Sequence, residues 1–238
     1  MQLLLKDLAY GYDKVLLRDI NLSIKKGNKT LIVGTSGCGK STLFYVLMRL
    51  LYPLKGNIFI QGKNYDDLAE KSIREHFAVA FQEHHIFNLS IRDNFKMLYE
   101  NITDEEIYKS LENVYLLDFV KQVGLDYIVG NDGNKLSGGQ KHRLQLAICL
   151  AKQKDIILLD EPTAGLDIKT TNNICSQLME KYQKQTMIVT SHDISLLRFF
   201  DDIIICGEEK IIEQGNIKKL LLREDSYLNK LIRYKNFI

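Results

Sequence analysis

The run Gly34-Thr35-Ser36-Gly37-Cys38-Gly39-Lys40-Ser41-Thr42 constrains the fold of this chain more than any other feature of the sequence. It matches the pattern G-x-x-x-x-G-K-[ST], which is typical of loops that hold phosphate groups. The apolar, β-branched residues 30–33 before it predict a strand, and residues 43–51 after it predict a helix. A glycine loop between a strand and a helix is the context that this pattern requires.

The chemistry of this loop predicts a nucleotide site. Glycines let the backbone curl without side chains, so successive N–H groups point at phosphate oxygens, and the helix N-terminus adds partial positive charge. We expect Lys40 to reach the β- and γ-phosphates, Ser41 to bind Mg²⁺ and Thr42 to contact the phosphates. A glycine-rich turn that contains a lysine by chance is the alternative, and the flanking strand and helix patterns argue against it.

Composition places the chain among ordinary globular proteins. Its 238 residues are 45% hydrophobic and 26% charged, and the net charge of +2 is too small to indicate a nucleic-acid partner. The four cysteines are scattered without a CxxC pair, which suits a reducing cytosol better than a disulfide or zinc framework. No stretch approaches the roughly 20 apolar residues that a membrane span needs, and the N-terminus is unlike a signal peptide. We expect a single domain over residues 1–238.

Hydrophobic patterns predict an α/β chain. Residues 9–13 predict a turn with two aromatic side chains, and Gln82 follows a predicted buried strand at its carboxyl end. Residues 90–127 predict a helical insertion, and a helix that begins near residue 217 is expected to pack on its own domain. Strands in the first third of the chain are predicted at residues 2–5, 20–24, 57–62 and 77–81.

Two further predicted strands each end in a polar cluster. Residues 155–159 are followed by Asp160 and Glu161, and residues 186–190 are followed by a cluster that contains His192. Four consecutive aliphatic residues indicate a strand covered on both faces, as in a parallel sheet, where ligands bind at the carboxyl ends of strands. We expect Asp160 to hold the Mg²⁺ shell and Glu161 to polarise a water. The remaining histidines lack the spacing of metal ligands and are interpreted as structural: His76, His84, His85 and His142.

The run Leu136-Ser137-Gly138-Gly139-Gln140 predicts a second anion-binding helix end. Ser137 and Gln140 have the spacing of a capping box, and the helix is predicted to continue through Leu150. An ordinary glycine-flanked cap is the alternative, which the upstream phosphate loop weakens.

Taken together, these runs resemble the ATP-binding-cassette (ABC) ATPases over essentially the whole chain. Residues 136–140 match the family signature, and they precede residues 159–163 and 165–167 with family-like spacing. The resemblance implies an α/β fold with a P-loop NTPase (RecA-like) core built on a parallel sheet. This core and an N-terminal antiparallel β subdomain would together occupy residues 1–82 and 143–238. A helical subdomain would occupy residues 83–142.

The resemblance also implies catalytic roles. Glu161 matches the general base, His192 matches its companion that contacts the γ-phosphate, and Gln82 matches a residue that touches Mg²⁺ or the attacking water. Tyr12 matches the aromatic that stacks on adenine, although the residues alone favour a half-buried tyrosine at a strand end. Lys40 matches the cation of the nucleotide cradle, whose other members are Gly34, Ser36, Gly37, Cys38, Gly39, Ser41 and Thr42.

A head-to-tail dimer follows from the same resemblance. Ser137 and Gly139 match contacts to ATP that is bound on a second subunit, and Asp167 matches the loop that links the two sites. The implied partners are a second ABC ATPase subunit, identical or different, and transmembrane permease subunits, with the chain peripheral on the cytoplasmic face of the membrane. Residues 87–94 and 129–133 resemble exporters more than importers, and a peptide is the expected cargo.

The chain departs from the usual family sequence at a few positions. Phe81 stands where family members usually carry proline, and residues 141–143 read Lys-His-Arg instead of Arg-Gln-Arg, but no catalytic group is removed.

Other functions are open to a chain with these motifs. The first alternative is a non-transport ABC ATPase acting on nucleic acid or ribosomes, which usually has a coiled-coil insertion or two cassettes in one chain. A small-molecule kinase and a non-hydrolysing interaction module are the others. Binding to nucleic acid is not expected.

Overall fold

The computed structural model describes residues 2–82, 86–152 and 154–235, which form two compact units. The first unit comprises Met1–Phe77, Lys154–Glu161 and Lys184–Ile238, and the second comprises Ala78–Gln153 and Pro162–Gln183. The described strands are β1 Leu3–Gly11, β2 Val15–Ile24, β3 Lys29–Gly34, β4 Lys55–Ile60, β5 Lys63–Asn64, β6 Phe77–Ala80, β7 Ile156–Asp160, β8 Thr186–Ser191, β9 Asp202–Cys206 and β10 Ile211–Asn216. The described helices are α1 Lys40–Leu47, α2 Glu70–Glu75, α3 Ile91–Lys96, α4 Asp104–Glu112, α5 Leu117–Val123, α6 Gly138–Leu150, α7 Ile168–Lys181, α8 Ile217–Leu221 and α9 Tyr227–Lys235.

A six-stranded sheet has the strand order β10-β9-β3-β8-β7-β6. Strand β3 runs parallel to both β8 and β9, and β7 runs parallel to β8, whereas β10 is antiparallel to β9. Every residue of β7 and β8 is buried, as expected for strands covered on both faces. Because β3, β8 and β7 are parallel neighbours, their carboxyl ends lie at one edge of the sheet, and this edge carries the candidate site.

A second sheet in the first unit is antiparallel, with the order β2-β1-β4-β5. Leu3 of β1 pairs with Ile24 of β2 on one side and with Ile60 of β4 on the other. All three side chains are buried, so the sheet has an apolar face that packs in the core.

The second unit is mainly helical. Helix α4 begins with a capping box, in which Thr103 and Glu106 satisfy each other's backbone N–H groups. It packs on α6, where the buried Ser110 hydroxyl donates to the Ala147 carbonyl at 2.5 Å. The α/β fold that the sequence predicts, with a parallel core sheet, an N-terminal antiparallel sheet and a helical segment, is confirmed.

Three predicted boundaries were wrong. Strand β1 extends to Gly11, so most of the turn predicted at residues 9–13 is strand that pairs with β2. Helix α1 ends at Leu47 instead of continuing to residue 51, because Arg49 takes a left-handed backbone with a φ of 55°. The helix predicted from residue 217 is two helices, because Ser226 begins a new one by accepting a hydrogen bond from the N–H of Asn229 at 3.1 Å.

Candidate active site

The phosphate loop joins β3 to α1, as predicted. Gly37 and Gly39 have φ angles of 81° and 97°, a left-handed region that glycine enters without strain. A Cβ at Gly34 would lie 2.7 Å from the Cys206 carbonyl oxygen and 2.8 Å from the Cys38 Sγ, so a side chain does not fit there. The middle of the loop, including Ser36, is exposed, whereas Cys38 and Thr42 are buried. The backbone therefore forms an open cradle whose base is closely packed.

Lys40 lies across this cradle at the first position of α1. Its Nζ donates to the carbonyls of Gly34 at 2.9 Å and Thr35 at 3.1 Å, and the residue is only 9% exposed. Ser41 follows and is partly exposed. The ammonium group is thus held over the loop, where phosphate oxygens can replace the two carbonyls as its hydrogen-bond acceptors. Tyr12 follows β1 and is 59% exposed, so its ring face is available for stacking.

Asp160 and Glu161 lie at the carboxyl end of β7. The Thr190 hydroxyl on β8 donates to the Asp160 Oδ1 at 2.5 Å. Glu161 has a φ of 51°, and its N–H donates to both the carbonyl and the hydroxyl oxygen of Thr190, each at 3.1 Å. A left-handed conformation in a non-glycine residue is uncommon and concentrates at functional sites. The backbone therefore turns at the residue that follows β7.

His192 follows β8 and contacts the same glutamate. Its Nδ1 lies 3.0 Å from the Glu161 Oε2, and its backbone N–H donates to that oxygen at 3.4 Å. The Glu161 side chain is 10% exposed, whereas the His192 side chain is 74% exposed. A nearly buried carboxylate thus hydrogen-bonds to an imidazole that reaches solvent, an arrangement that can move a proton.

The signature run occupies the N-terminus of the 13-residue helix α6 in the second unit. The predicted capping box is present, because the N–H of Gln140 donates to the Ser137 Oγ at 3.2 Å and the N–H of Ser137 donates to the Gln140 Oε1 at 2.9 Å. Gly139 and Gln82 both line a cavity of about 450 Å³ at this helix end. The structure therefore groups Gln82 with the signature, and its predicted contact with Mg²⁺ remains a prediction.

Asp167 caps a different helix of the second unit. Its carboxylate accepts hydrogen bonds from the N–H of Thr170 at 2.9 Å and from the Thr170 hydroxyl at 2.6 Å, at the start of α7. These bonds hold the pKa of Asp167 below its usual range. The side chain therefore fixes the loop that precedes α7, a role that the sequence interpretation did not include.

Two of the histidines interpreted as structural make such contacts. His142 donates from Nε2 to the Pro162 carbonyl, and burial lowers the pKa of His142. The His76 Nδ1 lies 3.2 Å from a carboxylate oxygen of Asp155. His84 and His85 lie outside the described residues.

Sequence patterns missed two residues that support the site. The Tyr10 hydroxyl donates to the Gly39 carbonyl at 3.0 Å, and the tyrosine is fully buried beneath the phosphate loop. Burial raises the pKa of Tyr10 well above its usual value, so the hydroxyl stays protonated as a donor. Thr190 was missed as well, although a threonine inside a buried apolar strand is a signal that could have found it.

We expect Tyr10→Phe to lower the free energy of unfolding by about 1 kcal/mol, because the ring remains but a buried hydrogen bond is lost. Urea denaturation measures the change. Tyr12→Phe is the matched control, since that hydroxyl belongs to an exposed side chain and its removal should change stability by less than about 0.5 kcal/mol. Equal effects of the two variants would contradict a supporting role for the Tyr10 hydroxyl.

Cys38 of the phosphate loop has an acidic thiol. A hydrogen bond from Cys206, helped by the positive charge of Lys40, lowers the pKa of Cys38 to about 6 against the opposing effect of burial. The thiolate is the reactive form and predominates above the pKa. We therefore expect alkylation of Cys38 by iodoacetamide to increase as pH rises through about 6, and Cys206→Ala to move this increase to higher pH.

Mass spectrometry of labelled peptides between about pH 5 and pH 9 measures this titration, because this range includes both a pKa of about 6 and the ordinary thiol pKa of about 8.5. Cys149 is the internal control, because burial raises the pKa of Cys149 to about 12 and should keep it unlabelled. Labelling of Cys38 that increases only near pH 8.5, about the ordinary thiol pKa, would contradict the prediction.

The oxygen groups of the site fit a hard divalent cation. Among residues 2–82, 86–152 and 154–235, no three histidine, cysteine or acidic side chains form a metal cluster. Asp160 supplies a nearly buried carboxylate and Ser41 a hydroxyl. Mg²⁺ is commonly held by one or two such protein groups together with substrate phosphates and water. The residues present therefore suit Mg²⁺ that arrives with a nucleotide.

Comparison with known proteins places the chain. The family model described as "ABC transporter" matches residues 17–164. The chain is 34% identical to the β-(1→2)glucan export ATP-binding/permease protein NdvA of Agrobacterium vitis over 86% of the chain and 35% of NdvA. It is 34% identical to the glutathione/L-cysteine transport system ATP-binding/permease protein CydC of Escherichia coli K12 over 95% of the chain and 40% of CydC. It is 36% identical to the multidrug resistance protein pgp-1 of Caenorhabditis elegans over 90% of the chain and 16% of that protein.

A solved structure of a bacterial Atm1-family ABC exporter with ATP bound matches 98% of the chain with a TM-score of 0.91 and 29% sequence identity, over 41% of its own chain. The chain thus spans less than half the length of each of these relatives. Within the described residues, no helix is both long and apolar enough to cross a membrane. The chain belongs to the ABC transporter family, as one of its ATP-binding and ATP-hydrolysing domains.

Proposed function

We propose that the chain drives transmembrane export by hydrolysing ATP between two copies of the domain. The observation that carries the proposal is the pairing of Glu161 with His192 at the sheet edge where β3 enters the phosphate loop. A carboxylate, an imidazole and a lysine ammonium group thus all follow the carboxyl ends of three neighbouring strands. This set can position a water and a triphosphate for transfer of the terminal phosphoryl group to water.

In this mechanism the protein mainly positions groups and stabilises charge. Glu161 orients the attacking water and accepts its proton, and His192 holds that carboxylate in place. The ammonium group of Lys40 and the N–H groups of the loop offset the charge that develops on the phosphoryl oxygens. Ser41 and Asp160 would hold Mg²⁺, which would neutralise phosphate charge when bound.

A second subunit would complete each site. The N-terminus of α6 presents Ser137 and two glycines, and such a helix end attracts anions. We infer that this end contacts the γ-phosphate of ATP held on the partner's phosphate loop, so that ATP closes the dimer and hydrolysis releases it. The partner is a second cassette, identical or homologous.

We also propose that the domain lies against permease segments on the cytoplasmic face of the membrane. NdvA and CydC are named as ATP-binding/permease proteins, and they extend well beyond the part that this chain matches. Their names refer to glucan export and to glutathione and cysteine transport, so similar domains serve different cargoes. We therefore propose export without a cargo class, and the peptide expected from the sequence is not carried into the proposal.

Concentration dependence of ATP hydrolysis tests the proposed function. If each site needs two subunits, the specific activity of the purified chain should increase with protein concentration until the dimer saturates, as mass action requires. Phosphate release is measured with Mg²⁺ and with EDTA at concentrations spanning about 100-fold around the dimer dissociation constant. Activity per molecule that is constant over this range and insensitive to EDTA would contradict the proposal.

A further inference from the structure

The buried hydroxyl of Thr190 connects the two acids of the site. Thr190 lies on β8 directly opposite Asp160 of β7, and none of its surface is exposed. Its hydroxyl donates to the Asp160 Oδ1 at 2.5 Å and accepts from the N–H of Glu161 at 3.1 Å. A hydroxyl has one proton. Because it donates this proton to Asp160 and accepts from the N–H of Glu161, the two bonds together fix the orientation of the hydroxyl.

The bond to Asp160 selects the orientation of its carboxylate. Rotation about the last side-chain bond of an aspartate is loosely defined, so the two oxygens can otherwise exchange places. With Oδ1 held by Thr190, Oδ2 is the oxygen that remains for a ligand. Carboxylates that bind metals are commonly fixed by such outer hydrogen bonds.

The bonds to Glu161 support its unusual backbone. The N–H of Glu161 donates to the hydroxyl and to the carbonyl of the same threonine. Glu161 has a φ of 51°, a conformation that persists only where surrounding contacts enforce it. The direction of the Glu161 carboxylate, and its contact with His192, depend on this turn.

We propose that Thr190 is a positioning residue that aligns Asp160 for Mg²⁺ and Glu161 for the attacking water. The inference rests on the proposed function, since it assigns a purpose to the same site. The hydroxyl of Thr190 is responsible for the alignment, and the methyl group and the volume of the side chain are not.

Thr190→Val tests this assignment because valine has nearly the shape of threonine and lacks the hydroxyl. We expect the Mg²⁺ concentration that half-saturates binding of a fluorescent ATP analogue to increase about 10–100-fold, with kcat reduced by a similar factor. Binding of the analogue in EDTA should be unchanged. Thr190→Ser retains the hydroxyl and can make the same hydrogen bond to Asp160. Its dependence on Mg²⁺ should therefore lie within about 3-fold of the parent's.

Thr186→Val is the matched control. Thr186 is equally buried on the same strand, and its hydroxyl accepts from the N–H of Gly27 at 3.0 Å, away from the two acids. Thr190→Val loses two hydrogen bonds and Thr186→Val loses one, so thermal unfolding should report a loss of stability in both variants. Only Thr190→Val should change the dependence on Mg²⁺.

Three results would overturn the proposal. The first is an equal dependence on Mg²⁺ in Thr190→Val and the parent, and the second is an equal shift in Thr186→Val and Thr190→Val. The third is a folded Thr190→Ser that fails to restore the parent's behaviour. A parent chain that binds no nucleotide would overturn the proposed function as well, whereas normal binding with an unaffected Thr190→Val would overturn this inference alone.

Discussion

Glu161→Gln should hydrolyse ATP about 10²–10⁴-fold more slowly than the parent chain, the range for loss of a general base, while still binding ATP. Glutamine keeps the size of the side chain and an oxygen that can accept from the backbone N–H of His192. It lacks the carboxylate that would take the proton of the attacking water. The variant should therefore stop after nucleotide binding and before hydrolysis.

The dimer is the second readout of this variant. If closure requires the γ-phosphate and opening requires hydrolysis, Glu161→Gln should accumulate as an ATP-bound dimer. Size-exclusion chromatography with light scattering, with and without Mg-ATP, measures this shift directly. Glu105→Gln, which removes an exposed carboxylate from the first turn of α4, is the control for the change in charge.

Two outcomes would contradict different parts of the argument. Hydrolysis by Glu161→Gln at the parent rate would exclude Glu161 as the base. A monomer under both conditions, with ATP bound, would exclude a homodimer and point to a different chain as the source of the second half-site.

Mixing two inactive variants should restore ATP hydrolysis. Lys40→Ala removes the cation of the phosphate loop, and Gly139→Asp places a negative charge at the helix end that would face ATP on the partner. If each site combines the loop of one subunit with the signature of the other, both homodimers are inactive. A heterodimer of the two variants has one intact site, because its intact loop and intact signature come from opposite subunits.

The structure indicates that Gly139→Asp leaves the fold in place. A Cβ at this position would lie 3.4 Å from the Arg143 Nη1 and 3.7 Å from the Leu166 Cδ2, which are ordinary contact distances. The loss of activity should therefore report on the site and not on folding, which circular dichroism can check.

Equal mixing gives heterodimers in about half of the dimers, each with one of two sites intact, so about a quarter of the parent activity is expected. The control is a chain with both substitutions mixed with Lys40→Ala, since every dimer in that mixture lacks an intact loop and no activity should appear. Native mass spectrometry confirms that heterodimers form. Heterodimers that form without any recovery of activity would contradict the composite site.

The parts of the fold and the site that could be predicted depend on residues that are close together along the chain. The phosphate loop needs glycines and a lysine between a strand and a helix, and these are adjacent in sequence, so residues 34–42 could be recognised directly. The capping box of Ser137 and Gln140 depends on a separation of three residues along the chain. Asp160 and Glu161 were found because buried parallel strands are continuously apolar and end abruptly at polar residues.

Contacts between distant segments explain what was not predictable. The Tyr10 hydroxyl meets the Gly39 carbonyl across 29 residues, and the Thr190 hydroxyl meets Asp160 across 30 residues. Nothing in the local pattern of residues 9–13 distinguishes a turn from the end of a strand, because pairing of Tyr10 with Leu17 of β2 makes the difference. The single predicted C-terminal helix divided for a local reason instead, since the cap at Ser226, three residues from Asn229, interrupts an otherwise helical pattern.

The sequence by itself determined which chemical groups this protein brings to a nucleotide and the order in which strands and helices carry them. Hydrophobic periodicity and glycine placement suffice for this, because both act between residues that are close along the chain. Only the tertiary structure decided that Thr190 stands opposite Asp160, that Tyr10 supports the phosphate loop and that Cys38 meets Cys206. The contact of Thr190 with Asp160 follows from the register of β8 on β7, and that of Cys38 with Cys206 from the register of β9 on β3. Tyr10 meets Gly39 because β1 packs on α1, a contact between a strand of one sheet and the helix that follows a strand of the other.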